Sequence, residues 1–325
     1  MAKPKPAPGV GGEGYTDRVR HLFSVWDPTL LIVQRQAIER ARLVVERAAG
    51  GGAPTRSAAR DMERAGQIVA DAIHPVTGDV LPNFVRRSST VPVNAVIAAA
   101  MLSTSSVSGT AMLHLYFQSY NSLVRYANHS DERHPLDPKR LWAAYGLATG
   151  AAVAIGVGAG RALHDAPPAL RPLRMIVPHL AVACAGALGL YMHNAPDAVD
   201  GIELVDSTGT VRGVSVEAGR GTLARALALH AVVLPSCQLL LPPLLMRYGI
   251  TPSLQSFSGL TRLSLAFPLA LGTTFACVAG LAPLAAAAFP RQVSFEPSAL
   301  EPQFHGLADA EGRPLGVLYS HKALY

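Results

Sequence analysis

Charge is scarce in this sequence. Asp, Glu, Lys and Arg make up 15% of its 325 residues, where soluble chains usually carry about 25%. Half of the residues are hydrophobic and the mean hydropathy is +0.26, so the composition points to lipid rather than to a pair of soluble domains. Aromatic residues are also few, and there are three cysteines, Cys184, Cys237 and Cys277, each inside an apolar run. That pattern offers neither a disulfide framework nor metal-type spacing, and the thiols read as small apolar residues packed between helices. No Walker motif, no Rossmann fingerprint and no nucleophile elbow occurs, which argues against an ATP-driven pump and gives no sign of an enzyme. The glycine-rich GVGAG at 156–160 has no preceding strand and fails the context test for phosphate binding. The Pro/Gly-rich residues 1–14 lack an apolar core and an Arg/Ser-rich amphipathic pattern, so they are expected to be a disordered tail rather than a signal or transit peptide.

What is present is long stretches without charge. Approximate spans at 91–113, 141–160, 175–193, 226–246 and 266–289 contain no Asp, Glu, Lys or Arg, and each is near the 20 residues that cross a hydrocarbon core of roughly 30 Å. The expected architecture is an all-α integral membrane protein of five transmembrane helices over 91–290, with chain ends on opposite sides of the bilayer. Residues 15–90 form a polar helical cap, 194–225 a connection with a small extramembrane hairpin around Asp206-Ser207-Thr208-Gly209, and 291–325 an irregular tail. In the cap, Asp27-Pro28 predicts a helix start, and the stripe Leu30, Val33, Ala37, Ala41, Val44, Ala48 predicts a helix of roughly five turns ending at Gly50-Gly51-Gly52. Pro178, Pro235, Pro242-Pro243, Pro268 and Pro283 interrupt the spans, and each removes an intrahelical hydrogen bond. The net charge of +6 comes from Lys and Arg outside the apolar runs, which fits juxtamembrane loops and a lipid bilayer rather than nucleic acid. Counted over five spans, the basic residues fall almost evenly on the two sides.

Polar residues at the spans are the candidates for function. Gln118, Asn121, Arg125 and Asn128 recur at steps of three, four and three, which places them on one helical face. Their amides donate and accept, so the face suits either a zwitterionic amino acid or the headgroup layer. His114, His179, His193 and His230 lie in or beside spans and would allow a metal path, but no carboxylate accompanies them and no two share a span at i, i+4. No metal or cofactor is therefore expected. The missing intramembrane Asp and Glu leave facilitated movement or exchange rather than proton coupling. His74-Pro75-Val76-Thr77-Gly78-Asp79 follows a helix predicted near 57–73 and reads locally as a helix stop with a turn.

These segments resemble the sideroflexins. His74-Pro75-x-Thr77-Gly78-Asp79 is similar to that family's His-Pro-Asp-Thr-Gly-Glu signature, and Gln118-Ser119-x-Asn121-x-x-Val124-x-Tyr126-x-Asn128 to its Asn-Gln-Ser-x-Asn-Ala-x-Val-Asn-Tyr-x-Asn segment. Trp26-Asp27-Pro28, Gly201-Ile202, Asp206, Gly209, Ser215 and Leu241-Pro242-Pro243 follow in the family's order. The resemblance implies a multi-pass protein of the mitochondrial inner membrane, five helices, the cap in the matrix, and transport of serine and related small neutral amino acids for one-carbon metabolism. It also gives the HPVTGD loop a specific role in gating or docking. This chain differs from the family at Val76 (Asp there), Asp79 (Glu), Gly186 and Gly189 (an Asn-x-x-Asn pair) and His230 (Arg). The lost amides imply weak discrimination between serine and alanine at a pathway that includes Gly186, Gly189 and His230. Two other readings compete with the transporter: an inner-membrane scaffold docking protein partners through the cap and the 194–225 loop, and a carrier of metal or haem precursors using the histidines.

Overall fold

The computed structural model describes residues 13–48, 56–104, 106–128, 137–253, 257, 259–309 and 312–324. Residues 1–12 and Gly50 to Gly52 lie outside these, and with them the expected tail and helix stop. The cap contains α1 (Tyr15–Val25), α2 (Arg35–Ala48) and α3 (Arg56–Ala72). Asp27 does cap a helix start, accepting from the Thr29 amide at 2.9 Å, but the turn it opens is a short 3-10 segment, Pro28–Ile32. Val33 is extended, so the helix expected from 28 to 48 is broken into that turn and α2. Of the expected apolar stripe only Leu30 and Ala41 are buried; Val33 and Ala37 are half-buried and Val44 and Ala48 are exposed, while Ile38, outside the stripe, is fully buried. The α3 helix ends just before Pro75, as the proline requires.

The apolar region departs from the expected count. Among the described residues four helical runs are long and apolar enough to cross a membrane: Pro138–His164, Arg171–Val199, Val216–Ser253 and Ser264–Ala286. The first expected span, 91–113, is instead cut at Thr104 to Ser106 into α4 (Thr90–Ser103) and α5 (Val107–Ala127). Ser106 accepts from the Gly109 amide and starts the second helix, so the hydroxyls that made this run look unlike the others are its turn chemistry. At 14 residues, α4 is about 21 Å long and falls short of a roughly 30 Å core. It is a short, buried helix, with Val91, Ala95, Ala98 and Ala99 at 2% exposure or less. Then come α6 (Pro138–His164), α7 (Val177–Val199), α8 (the run Val216–Ser253) and α9 (Gly259–Ala276), which continues through Cys277–Leu281 into α10 (Ala282–Ala286).

Proline explains the irregular turns of the last two runs. Wide π turns at Ala228–Val233, Ser236–Leu240 and Cys277–Leu281 lie just before Pro235, Pro242 and Pro283. A proline offers no N–H and its ring crowds the carbonyl four residues back, and a wider turn relieves both. Pro178 differs from expectation because it occupies the first turn of α7, where no amide is missed.

The fold is not purely helical. The expected hairpin forms from β1 (Ile202–Val205) and β2 (Val211–Ser215), and the tail expected to be irregular adds β3 (Gln292–Phe295) and β4 (Leu318–Ala323) in the order β2-β1-β4-β3, all antiparallel. Buried Leu204, Leu300, Phe304 and Leu318 pack this sheet. Asp206 ties the hairpin turn by accepting from the Thr208 and Thr210 amides and from Arg212 Nε at 2.7 Å. Glu301 caps α8 from the tail, accepting from Ser215 Oγ at 2.6 Å and the Val216 amide at 2.7 Å.

Both ends of the described chain lie on one side of the bundle. Leu22 of α1 shares a core with Ala286, Ala287, Val293 and Leu324, and Tyr15 and Arg18 donate to the carbonyls of Leu284 and Ala287. The extra turn at 104–106 is the reason. It makes the number of passes even whether the α4–α5 hairpin crosses the membrane or turns back inside it.

Candidate functional site

The polar face predicted on α5 is real and one turn longer than expected. His114 precedes Gln118 by four residues, so the stripe runs His114, Gln118, Asn121, Arg125, Asn128. The missing member was legible, since the same spacing extends backwards from Gln118. Near the middle, Asn121 and Asn94 of α4 form a reciprocal amide pair at 3.1 and 3.3 Å, and Asn121 also donates to the Phe117 carbonyl at 2.8 Å. Gln238 of α8 donates to the Asn94 carbonyl at 3.2 Å. Three elements thus meet through amides among the apolar Ala98, Met101, Phe117, Val182 and Leu239. Gln118 sits beside them, buried, with its Nε2 unsatisfied.

Towards the cap the stripe changes character. Asn128 donates to the carbonyls of Val124 and Val85, both at 2.8 Å, and so ends α5 while fastening it to the cap. It is a clasp rather than a lining residue. His230 bonds through Nε2 with the Leu324 carbonyl at 2.9 Å, and Arg125 acts on it electrostatically. A Cβ built on Gly186 would lie 3.7 Å from the His230 carbonyl, and one on Gly189 3.6 Å from Ala148 Cβ. The two glycines therefore face different neighbours, α8 and α6, and both serve close helix packing. Gly186, His230 and the C-terminal strand come together at the cap end; Gln118 and Asn121 lie deeper.

The signature loop stands apart, on the cap surface. His74 donates its amide to the Asp79 carbonyl at 2.8 Å, and its Nδ1 accepts from the amides of Val76 and Thr77, both at 3.2 Å. Gly78 adopts φ +74°, and Asp79 N donates to Thr77 Oγ1 at 3.3 Å. The six residues form a self-closed turn that ends α3, which accounts for each of His74, Pro75, Thr77, Gly78 and Asp79 without a bound solute. Beneath it, buried Asp71 accepts from Ser88 N and Ser88 Oγ, both at 2.7 Å, and joins α3 to the start of α4. Burial pushes the Asp71 carboxyl above the usual range despite the two Ser88 bonds.

At the opposite end a cavity of about 340 Å³ opens between α4, α5, α6 and α7, with His114 in its wall and Arg161 and Arg174 at its rim. His114 is 1% exposed and pressed against α6, where a Cβ on Gly156 would come within 2.6 Å of its Nε2. Among the described residues no three His, Cys, Asp or Glu side chains converge in a way that would hold a metal ion.

Comparison with known proteins is consistent along the whole chain. Sideroflexin-3 of Homo sapiens is 28% identical over 95% of this chain and 94% of its own length. Sideroflexin-1 of Homo sapiens is 26% identical over 95% and 94%, and the sideroflexin of Dictyostelium discoideum 26% over 94% and 93%. No solved structure matches. The family profile described as "Sideroflexins" matches residues 11–324, and with the apolar helices, the polar α5 stripe and the HPVTGD turn in place, the chain belongs to the sideroflexin family.

Proposed function

We propose that this protein is a carrier, not an enzyme, that moves small neutral amino acids, serine and alanine, across the mitochondrial inner membrane by facilitated movement or exchange. The observation that carries the reading is the continuous polar stripe of α5, running from the His114 cavity past Gln118 to the Asn94–Asn121 pair inside an otherwise apolar bundle. Buried polar groups cost free energy unless paired, and an unsatisfied amide such as Gln118 Nε2 is a donor available to a passing solute. The glycines at 186 and 189 leave fewer amides to select a hydroxyl, which supports acceptance of alanine beside serine. The mitochondrial placement and the amino-acid class rest on the family resemblance.

One observation favours a scaffold instead. Between α6 and α7, fully or nearly fully buried Ala148, Ala152 and Ala185 form an apolar cluster, so part of the bundle is closely packed. Uptake of labelled serine and alanine by the purified protein in liposomes decides. Saturable uptake of both supports the carrier, and none in well-inserted protein leaves the scaffold.

A further inference from the structure

The cavity at the end of the bundle away from the cap carries chemistry of its own. Its wall includes Thr104 at the end of α4, Thr110 and His114 on α5, and Arg161 and His164 at the end of α6; Arg174 before α7 completes the rim. No Asp or Glu lines it. Arg161 and Arg174 have no carboxylate partner among the described residues, although their neighbour His164 pairs with Asp165 at 3.0 Å. The ionisable side chains that line the cavity are therefore basic only. At its inner end His114, 1% exposed, leaves Nδ1 without a partner, and the close approach to Gly156 prevents the ring from withdrawing into α6. A buried ring nitrogen with no protein partner, on a residue in the wall of a cavity that also holds two guanidinium groups without carboxylate partners among the described residues, suits something polar and negative.

We propose that this cavity is the entry site of the carrier and binds the carboxylate of its solute, with Arg161 and Arg174 attracting the anion and His114 holding the bound molecule at the head of the α5 stripe. This rests on the transport reading and gives it a substrate class: small zwitterions or monoanions with a free carboxylate. The cationic part of an amino acid also finds a favourable end here, because α4 and α6 both reach their C-termini at the cavity. A cavity of about 340 Å³ leaves space for water around a three-carbon amino acid. His114 stands four residues before Gln118 on the same face, so a solute released inwards next meets the unsatisfied amide.

The test uses full-length protein in liposomes, labelled L-alanine as the probe, and the variants Arg161→Gln/Arg174→Gln and His114→Phe. Losing charge-assisted contacts raises KM about tenfold or more in the double variant while maximal uptake stays within about twofold. Added salt raises KM in the wild type and much less in the double variant. Propionate competes with alanine, alanine methyl ester does not, and His114→Phe raises KM without changing the salt response. Unchanged KM in the double variant, or equal competition by the methyl ester, overturns the site and leaves transport standing. If the wild type carries no amino acid, transport falls and thermal melting of the purified protein decides the site alone. Stabilisation by propionate that is lost in the double variant then upholds a carboxylate site. No stabilisation, an equal shift in both proteins, or stabilisation by inorganic phosphate only overturns it.

Discussion

The Asn94–Asn121 pair gives the sharpest test of how the bundle is held together. Each amide satisfies the other, at 3.1 and 3.3 Å, where α4 and α5 meet. Replacing Asn121 by Leu deletes both bonds and leaves the Asn94 amide buried at 9% exposure without that partner. An orphaned buried amide costs about 1–3 kcal/mol, and Asn94→Leu does the same to Asn121, less what Asn121 keeps through its 2.8 Å bond to Phe117. Replacing both partners leaves neither orphaned. The double variant should therefore lose less than the sum of the single losses, with a coupling of about 1 kcal/mol or more. Melting of purified protein in detergent measures stability, and uptake in liposomes is read on the same four proteins. Additive losses would refute the pairing, because they mean that each side chain acts alone. If the double variant regains stability but not uptake, the amides serve the pathway as well as the fold.

Other consequences follow from single contacts. A Cβ on Gly219 would sit 1.7 Å from the Asp197 carbonyl, so Gly219→Ala should cost more than the about 1–3 kcal/mol typical of overpacking and lower the yield of folded protein in a detergent-stability assay. Gly186→Ala, whose Cβ meets nothing nearer than 3.7 Å, should melt within about 1 kcal/mol of the wild type, whereas Gly186→Asn must displace the His230 backbone and should lose more. Although burial opposes it, hydrogen bonds from Ser215, Glu217 and Val216 hold the Glu301 carboxyl below the usual range. A depressed folded pKa stabilises above the unfolded value near 4 and that stability is lost as pH falls through the folded pKa, so wild type should lose melting temperature below about pH 4 and Glu301→Gln less. Tags at the two ends should show the same protease protection in sealed vesicles, and opposite protection would refute the even number of passes.

Much of this was legible in the residues because it depends on local rules. The stop before Pro75, the hairpin around Asp206 and four of the five apolar runs follow from proline geometry, turn chemistry and hydrophobic length, and all three act over a few residues. The fifth run was misread for an instructive reason. A hydropathy window counts Thr104, Ser105 and Ser106 as tolerable inside a span, but the Ser106 side chain accepts from a backbone amide and starts a new helix instead. The tail was misread because its strands are specified by partners far away: Leu204 with Ser320 and Ser294 with Tyr319. In the site, steps of three and four located Gln118 and Asn121. Spacing could not separate Asn128, which clasps Val85, from its neighbours, nor reveal Gln238, a lone amide whose partner is 144 residues away.

The misread turn also accounts for the even split of basic residues between the two sides. With one span from 91 to 113, Arg86 and Arg87 lie across the membrane from Arg125. With a hairpin in its place they lie on the same side. Among the described residues the cap side then holds Arg86, Arg87, Arg125, Lys139, Arg140, Arg212, Arg220, Arg225 and Arg291, against Arg161, Arg171, Arg174, Arg247 and Arg262 at the other end. Nine against five is a bias of the kind that sets orientation, since basic flanks resist translocation and stay on the side from which the chain inserts. On the inner-membrane placement proposed above, which itself rests on the family resemblance, that side would be the matrix. The orientation in turn gives the cavity a direction. His114, Arg161 and Arg174 lie at the end of the bundle away from the cap, while at the cap end His230 is tied to the Leu324 carbonyl and Leu324 packs with Leu22 and Leu229. The bundle thus has its cavity at one end and this contact at the other, and on the proposed carrier reading a solute held at His114 would cross only if the contact between His230 of α8 and Leu324 gives way.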